Sequence, residues 1–292
     1  MKCVAQHSHE AVLVSHLPAF QDSLLSLSKQ FINQEIEPER YNANYKFIKT
    51  LVEALKEPKS FYFDFDSLKT ISIVTSPDKK FRIFTWHVLN DDGSYRFYGT
   101  IQLNTSDGRL KLFPLSDYSA FIQNPGNQEL KTDEWFAAQY YQVVGVNQNT
   151  ANPYYILLGW KGNSNSTTKK VIDALHFVDG IPYFGLSVFD GNSQYQGNKR
   201  IIFDYAREAS MYLKYDYTKE RIVFDHLAPT NSALKNDFSK YGPDMTYDAF
   251  QLSKGRWKYQ SNLLLNNPPS EKDDLFNDPK KLKQNTQPIR KY

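Results

Sequence analysis

Cysteine is almost missing from this chain: one residue, Cys3, in 292. A disulfide framework and a multi-cysteine zinc cage both need more, so neither holds the fold together. A surplus of one charge is missing too. Lys and Arg number 35 against 32 Asp and Glu, a formal net charge of +3, which demands neither a nucleic acid nor an anionic membrane as partner. No apolar run approaches the ~20 residues of a transmembrane helix. The sequence also contains no Gly-x-Ser-x-Gly elbow, no phosphate-binding Walker loop, no Gly-x-Gly-x-x-Gly turn and no His-Glu-x-x-His pair. The motif-borne forms of esterase, nucleotide and zinc-peptidase chemistry are therefore excluded, and no catalytic residue, metal or cofactor is implied.

Aromatic residues are plentiful: 20 Tyr, 20 Phe and 4 Trp, or 15% of the chain. Strands favour such side chains. The length is sufficient to bury roughly three quarters of the unfolded surface, which is ample for a real core.

The two ends read differently from the middle. Met1-Lys2-Cys3-Val4-Ala5-Gln6 has small residues before a glutamine, like the end of an export signal whose apolar segment is not in this sequence. Residues 1–6 are thus expected to be a signal remnant. The address expected is an exported one (periplasm, outer-membrane-associated or secreted), with the cytoplasm as alternative. Residues 266–292 are polar, carry several prolines and mix both charges, which predicts a flexible tail.

Residues 7–59 read as a helical segment. Phe20, Leu24, Leu27 and Phe31 share one helical face after Pro18. A second stripe, Tyr41, Tyr45, Ile48, Val52 and Leu55, runs between Pro38 and Pro58. From Ser60 the period changes to two. Tyr95, Phe97, Ile101 and Leu103 alternate with polar residues, while Phe81 to Val88, Tyr154 to Trp160 and Val171 to Val178 are apolar on both faces, as central strands are. Asp92-Gly93, Asp107-Gly108, Asp179-Gly180 and Asp190-Gly191 are hairpin dipeptides. The fold class expected is mainly β (α+β). An antiparallel meander over residues 60–265 forms an irregular sandwich or open barrel behind an N-terminal helical pair, with a small propeller-like fold as alternative.

The best candidate for a functional face lies between Ile222 and Phe250. A strand ending in Asp225-His226 puts two titratable groups at a sheet rim. The stretch with Tyr241, Asp244, Tyr247 and Asp248 reads as a long connection towards the last strand near Trp257. Loops at sheet ends often carry function. Carboxylates beside a histidine suit acid–base work, and tyrosines suit stacking. The competing explanation is structural: Asp225 capping backbone amides, Asp244 after Pro243 as turn chemistry, and the tyrosines as core cover. Asp190-Gly191-Asn192-Ser193-Gln194 carries oxygen ligands at alternate positions, but the glycine and final glutamate of a calcium loop are misplaced.

The strings Ser76-Pro77-Asp78-Lys79-Lys80-Phe81-Arg82-Ile83-Phe84-Thr85-Trp86, Ile222 to Pro229 and Tyr241 to Phe250 resemble an uncharacterised group of exported Gram-negative bacterial proteins with no assigned activity. The resemblance implies an exported address and a β architecture, and it carries over no site residue. The function expected is a non-enzymatic binding or interaction module for a glycan, peptide or protein partner. The alternative is a hydrolase using the carboxylate/His site at the rim.

Overall fold

The computed structural model describes residues 15–147, 152–191 and 194–263. The expected leader at 1–6 and the tail at 266–292 lie outside the described residues. Two helices come first, α1 (Leu17–Asn33) and α2 (Glu37–Lys56), each with its proline in the first turn, where a missing N–H costs nothing. α1 buries Leu17, Leu24, Ser28 and Phe31, close to the expected stripe.

The expected face of α2 needs correcting. Its buried residues are Arg40, Ala43, Asn44, Phe47, Leu51, Ala54 and Leu55, whereas Tyr45 of the predicted stripe is 57% exposed. Two polar residues disguise the buried face. The Asn44 side-chain oxygen accepts the Trp86 indole N–H at 2.7 Å. Arg40 donates to the carbonyls of Gln34, Glu35 and Leu89. Buried polar groups with partners fit a core, but they break its apolar pattern.

Fourteen strands follow among the described residues: β1 (Ser72–Thr75), β2 (Phe81–Leu89), β3 (Tyr95–Leu103), β4 (Leu112–Ser116), β5 (Gln139–Val146), β6 (Tyr154–Gly162), β7 (Thr167–Val178), β8 (Ile181–Phe184), β9 (Phe189–Asp190), β10 (Arg200–Ala206), β11 (Leu213–Asp216), β12 (Arg221–Pro229), β13 (Tyr241–Ser253) and β14 (Arg256–Gln260). They make three sheets, ordered β1-β2-β3-β4, β10-β7-β6-β5 with β8 also on β7, and β11-β12-β13-β14-β9. All pairings are antiparallel except the short β14–β9 contact.

Alternation along single strands explains how the sheets stack. In β2, Phe81 and Ile83 pack towards the second sheet, while Phe84, Trp86 and Val88 pack towards the helices. In β6, Tyr155 and Leu157 face the first sheet, and Tyr154, Ile156 and Leu158 face the third. Runs apolar on both faces therefore mark the inner layers, as read from the sequence. The order is helices, first sheet, second sheet, third sheet: a β-rich α+β sandwich and not a closed barrel.

Asp92-Gly93, Asp107-Gly108 and Asp179-Gly180 turn β2 into β3, β3 into β4 and β7 into β8. At the last, Asp179 (φ 51) and Gly180 (φ 76) both take the left-handed conformation that a tight hairpin needs. Asp190-Gly191 instead ends β9. There Arg256 clamps the Asp190 carboxylate at 2.8 and 2.6 Å, which uses the oxygens that a calcium loop would need; Asn192 and Ser193 lie outside the described residues.

Between the first two sheets lies a fully buried ion pair. Arg200 Nε sits 2.7 Å from Asp173 Oδ2, the same oxygen accepts Tyr140 OH at 2.9 Å, and Tyr140 OH accepts the Trp135 indole N–H at 3.0 Å. Arg200 Nη1 donates to the Pro125 carbonyl at 2.5 Å. The charges answer one another inside the core, so losing either one strands the other.

Candidate functional site

The predicted rim is built on a strand pair. β12 and β13 pair through Asp225↔Tyr247 and then Leu227↔Pro243, so Asp244, Met245 and Thr246 bulge out opposite His226. This corrects the reading of Tyr241 to Phe250 as a long connection: it is the start of β13. Gly242, Pro243 and Asp244 are turn residues by composition, but here they serve the bulge.

Within that frame Asp248 is 1% exposed. Its Oδ2 accepts Tyr259 OH at 2.8 Å and lies 2.8 Å from His226 Nδ1, while Oδ1 accepts the Asn262 amide at 3.0 Å. Holding Nδ1 fixes the imidazole plane and leaves Nε2 turned outwards, 4.0 Å from Asp244 Oδ2. The His226 side chain is 45% exposed. Asp225 accepts the Tyr212 amide at 2.7 Å. Burial pushes its carboxyl above the ordinary value and the nearby Asp244 charge adds to this, against that amide bond. Burial also presses Asp244 upwards, but bonds from the Thr246 hydroxyl and amide outweigh it and hold the carboxyl below its ordinary value.

Asp225, His226, Tyr241 and Asp248 line one small cavity of about 110 Å³. Asp244 borders it through His226. Tyr247 stands apart, edge-on to Tyr212. Sequence reasoning missed Tyr259 and Asn262, which secure Asp248, and Asp204 and Tyr195 on the cavity wall. Among the described residues no cluster of three or more His, Cys, Asp or Glu is placed to hold a metal ion.

A roomier cleft lies next door. Its volume is about 600 Å³, and it shares Ile202 with the rim cavity. The Lys169–Asp204 ion pair, 2.5 Å, divides the two, the lysine on the cleft side and the aspartate on the cavity side. The chain matches no protein-family model, no curated protein and no solved structure.

The cleft joins the end of the β6–β7 hairpin to the β4–β5 connection. Lys161 reaches its wall from β6, 6% exposed. Its Nζ donates to Ser119 Oγ at 2.8 Å and lies over the rings of Phe97 and Phe136, 4.6 and 5.1 Å from their centroids. Ser119 is fixed by Asp117, whose Oδ1 accepts the Ser119 amide at 3.1 Å and its hydroxyl at 2.5 Å. Burial pulls the Lys161 amine down to about 8, against the pull of Asp117 and with the help of Lys169. At the mouth, Phe121 is 69% exposed and pairs with the half-exposed Tyr118 at 4.8 Å. Tyr95, Asn90, Gln123 and Asn163 complete a wall of rings and amides.

Proposed function

We propose that the protein is an exported, non-enzymatic binding module and that its ligand is a glycan seated in the 600 Å³ cleft. One observation carries the reading: the exposed Phe121 ring, backed by Tyr118, at the mouth of a cleft whose wall offers amides, hydroxyls and a carboxylate. Flat rings meet the C–H faces of a sugar, and the amides and hydroxyls bond its hydroxyls in both directions. The volume falls in the ~300–1,000 Å³ range of small-molecule sites, while the rim cavity of about 110 Å³ admits only a small group. The exported address draws its support from Val4-Ala5-Gln6 and from a chain with no cysteine after residue 3.

The test is calorimetric titration of the wild type and Phe121→Ala with neutral and acidic trisaccharides. Phe121 is exposed, so the substitution should leave stability within ~0.5 kcal/mol. The lost ring contact should weaken binding about tenfold. Equal affinity of the two proteins for every saccharide that binds, or no binding at all, refutes the reading.

The imidazole of His226 supports a second reading, the hydrolase. Asp248 on Nδ1 leaves Nε2 available to take a proton. Hydrolysis of a glycoside or ester panel by the wild type, abolished in His226→Ala, would favour it over the binding module.

A further inference from the structure

Lys161 and Lys169 are direct cross-strand partners in the β6–β7 hairpin and line the same cleft. Like charges in that relation repel, and a sheet ordinarily avoids them. The second lysine has its answer in Asp204. Lys161 has none of that kind: among the described residues no carboxylate lies within 4.0 Å of its Nζ, and Asp117 is reached only through the Ser119 hydroxyl. The ammonium has three donors. Ser119 Oγ accepts one, two ring faces flank it, and the cleft opens on it. Arg96 adds a further cation at the same wall.

A desolvated cation aimed into a cavity is costly unless something negative enters. The two rings exclude water from it and hold it in place, and the opposite lysine makes the spot still less comfortable without an anion. We infer that the floor of the cleft seats an oxyanion group, a carboxylate or sulfate carried on an acidic glycan, with Lys161 and Lys169 as its ligands. This rests on the glycan reading and narrows it to a substrate class. The mouth recognises sugar faces; the floor selects the charged unit. Ser119 and Asp117 act as positioning residues: the Ser119 hydroxyl touches the ammonium, and Asp117 holds that hydroxyl in place. The exposed rim of the cleft keeps the rest of the chain of sugars in water, so only one charged unit loses its solvent.

The experiment compares three trisaccharides of one backbone by calorimetry: a uronate form, its carboxyl-reduced neutral form and a sulfated form. Each is titrated into the wild type and Lys161→Met. In parallel, thermal unfolding of the wild type and of Lys161→Met is followed in sulfate and in chloride at equal ionic strength. A charge-assisted bond to a buried ammonium should make at least one acidic form bind about tenfold tighter than the neutral form. Lys161→Met should lose that preference, binding the acidic and neutral forms alike. Which acidic form binds identifies the source of the oxyanion. Equal binding of neutral and acidic forms, or a preference that survives in Lys161→Met, overturns the anion seat and leaves the glycan reading standing. If no saccharide binds but sulfate raises the melting temperature of the wild type further above its chloride value than it does for Lys161→Met, the seat stands and the glycan reading falls, because the general stabilisation by sulfate is common to both proteins. No binding and an equal sulfate shift in the two proteins remove both.

Discussion

Replacing Lys161 by methionine should make the protein more stable at pH 7. The side chain keeps its length and its contact with Phe97 and Phe136 but loses a charge that the site desolvates. The difference between about 8 in the fold and the ordinary 10.5 corresponds to ~3 kcal/mol charged against holding the ammonium in place. The Ser119 bond returns ~1 kcal/mol and the ring contacts a further fraction, so the net gain for methionine at pH 7 is about 1–2 kcal/mol. The pH dependence has a definite sign. Below about 8, folded and unfolded chains both carry the proton, and the wild type bears the full cost. Between about 8 and 10.5 the folded chain releases its proton first. The unfolded state then holds more protons, and wild-type stability rises with pH relative to the variant. Urea unfolding of both proteins at pH 7 and near pH 10 measures this directly. The variant should lead at pH 7, and its lead should close at the higher pH. A variant less stable at pH 7, or a difference that does not change with pH, would refute the account of Lys161 as a desolvated, uncompensated cation.

Three other outcomes follow from groups already described. Asp173→Ala should cost about 3–5 kcal/mol in urea unfolding because it leaves the Arg200 charge buried alone; Asp173→Leu combined with Arg200→Met should recover most of it, and a double variant as weak as the single one would contradict this. Asp248→Ala should cost about 2–3 kcal/mol, since it strips Tyr259 OH and the Asn262 amide of their acceptor, whereas His226→Ala, at an exposed side chain, should cost under ~1 kcal/mol; equal losses would show that the imidazole is itself structural. Burial holds the His87 imidazole below its ordinary value, with the Gln139 bond opposing. The unfolded chain therefore takes up a proton first as pH falls through ~6.5, and stability should decline in that window; His87→Gln should flatten the decline in thermal unfolding curves between pH 7 and pH 5, and an unchanged slope would count against it.

Much of the layering was legible because two-sided burial leaves a plain signature. Phe81 to Val88, Tyr154 to Trp160 and Val171 to Val178 carry apolar residues on both faces, and each lies in a strand of a sheet covered on both faces. The face of α2 was not legible, because Arg40 and Asn44 are buried through hydrogen bonds that composition does not display. β13 was hidden in a similar way. Its first residues carry Gly242, Pro243 and Asp244, which local chemistry assigns to a turn, and only pairing with β12 makes them strand and bulge. At the rim, Asp225, His226, Tyr241 and Asp248 were singled out by chemical type and do line one cavity. That Asp248 is buried and held by Tyr259 depends on register with β14, which no local pattern reports. The lysine pair had a faint signal. Lys161 and Lys169 stand equally far from Asn165, so a hairpin centred on that residue sets them opposite each other.

The parallel contact of β9 with β14 has a consequence for the order in which the chain assembles. Within each sheet the other strands are drawn from one stretch of sequence, so the first two sheets can form as they leave the ribosome, each on the layer before it. β9 breaks that order. Phe189 and Asp190 wait for Trp257 and Lys258, in the last of the described strands, and the Arg256 clamp on Asp190 cannot close sooner. Trp257 is fully buried, with Phe189 in the same core, so the unfinished third sheet leaves an apolar seam open until β14 has been made. A nascent chain halted before residue 256 should expose this seam to a holding chaperone, and pulse-labelled hydrogen exchange should find the Trp257 amide, which donates to the Val188 carbonyl, among the last to be protected. Protection there ahead of the β6–β7 pairing would mean that the C-terminal hairpin docks first and that the layers are not laid down in chain order.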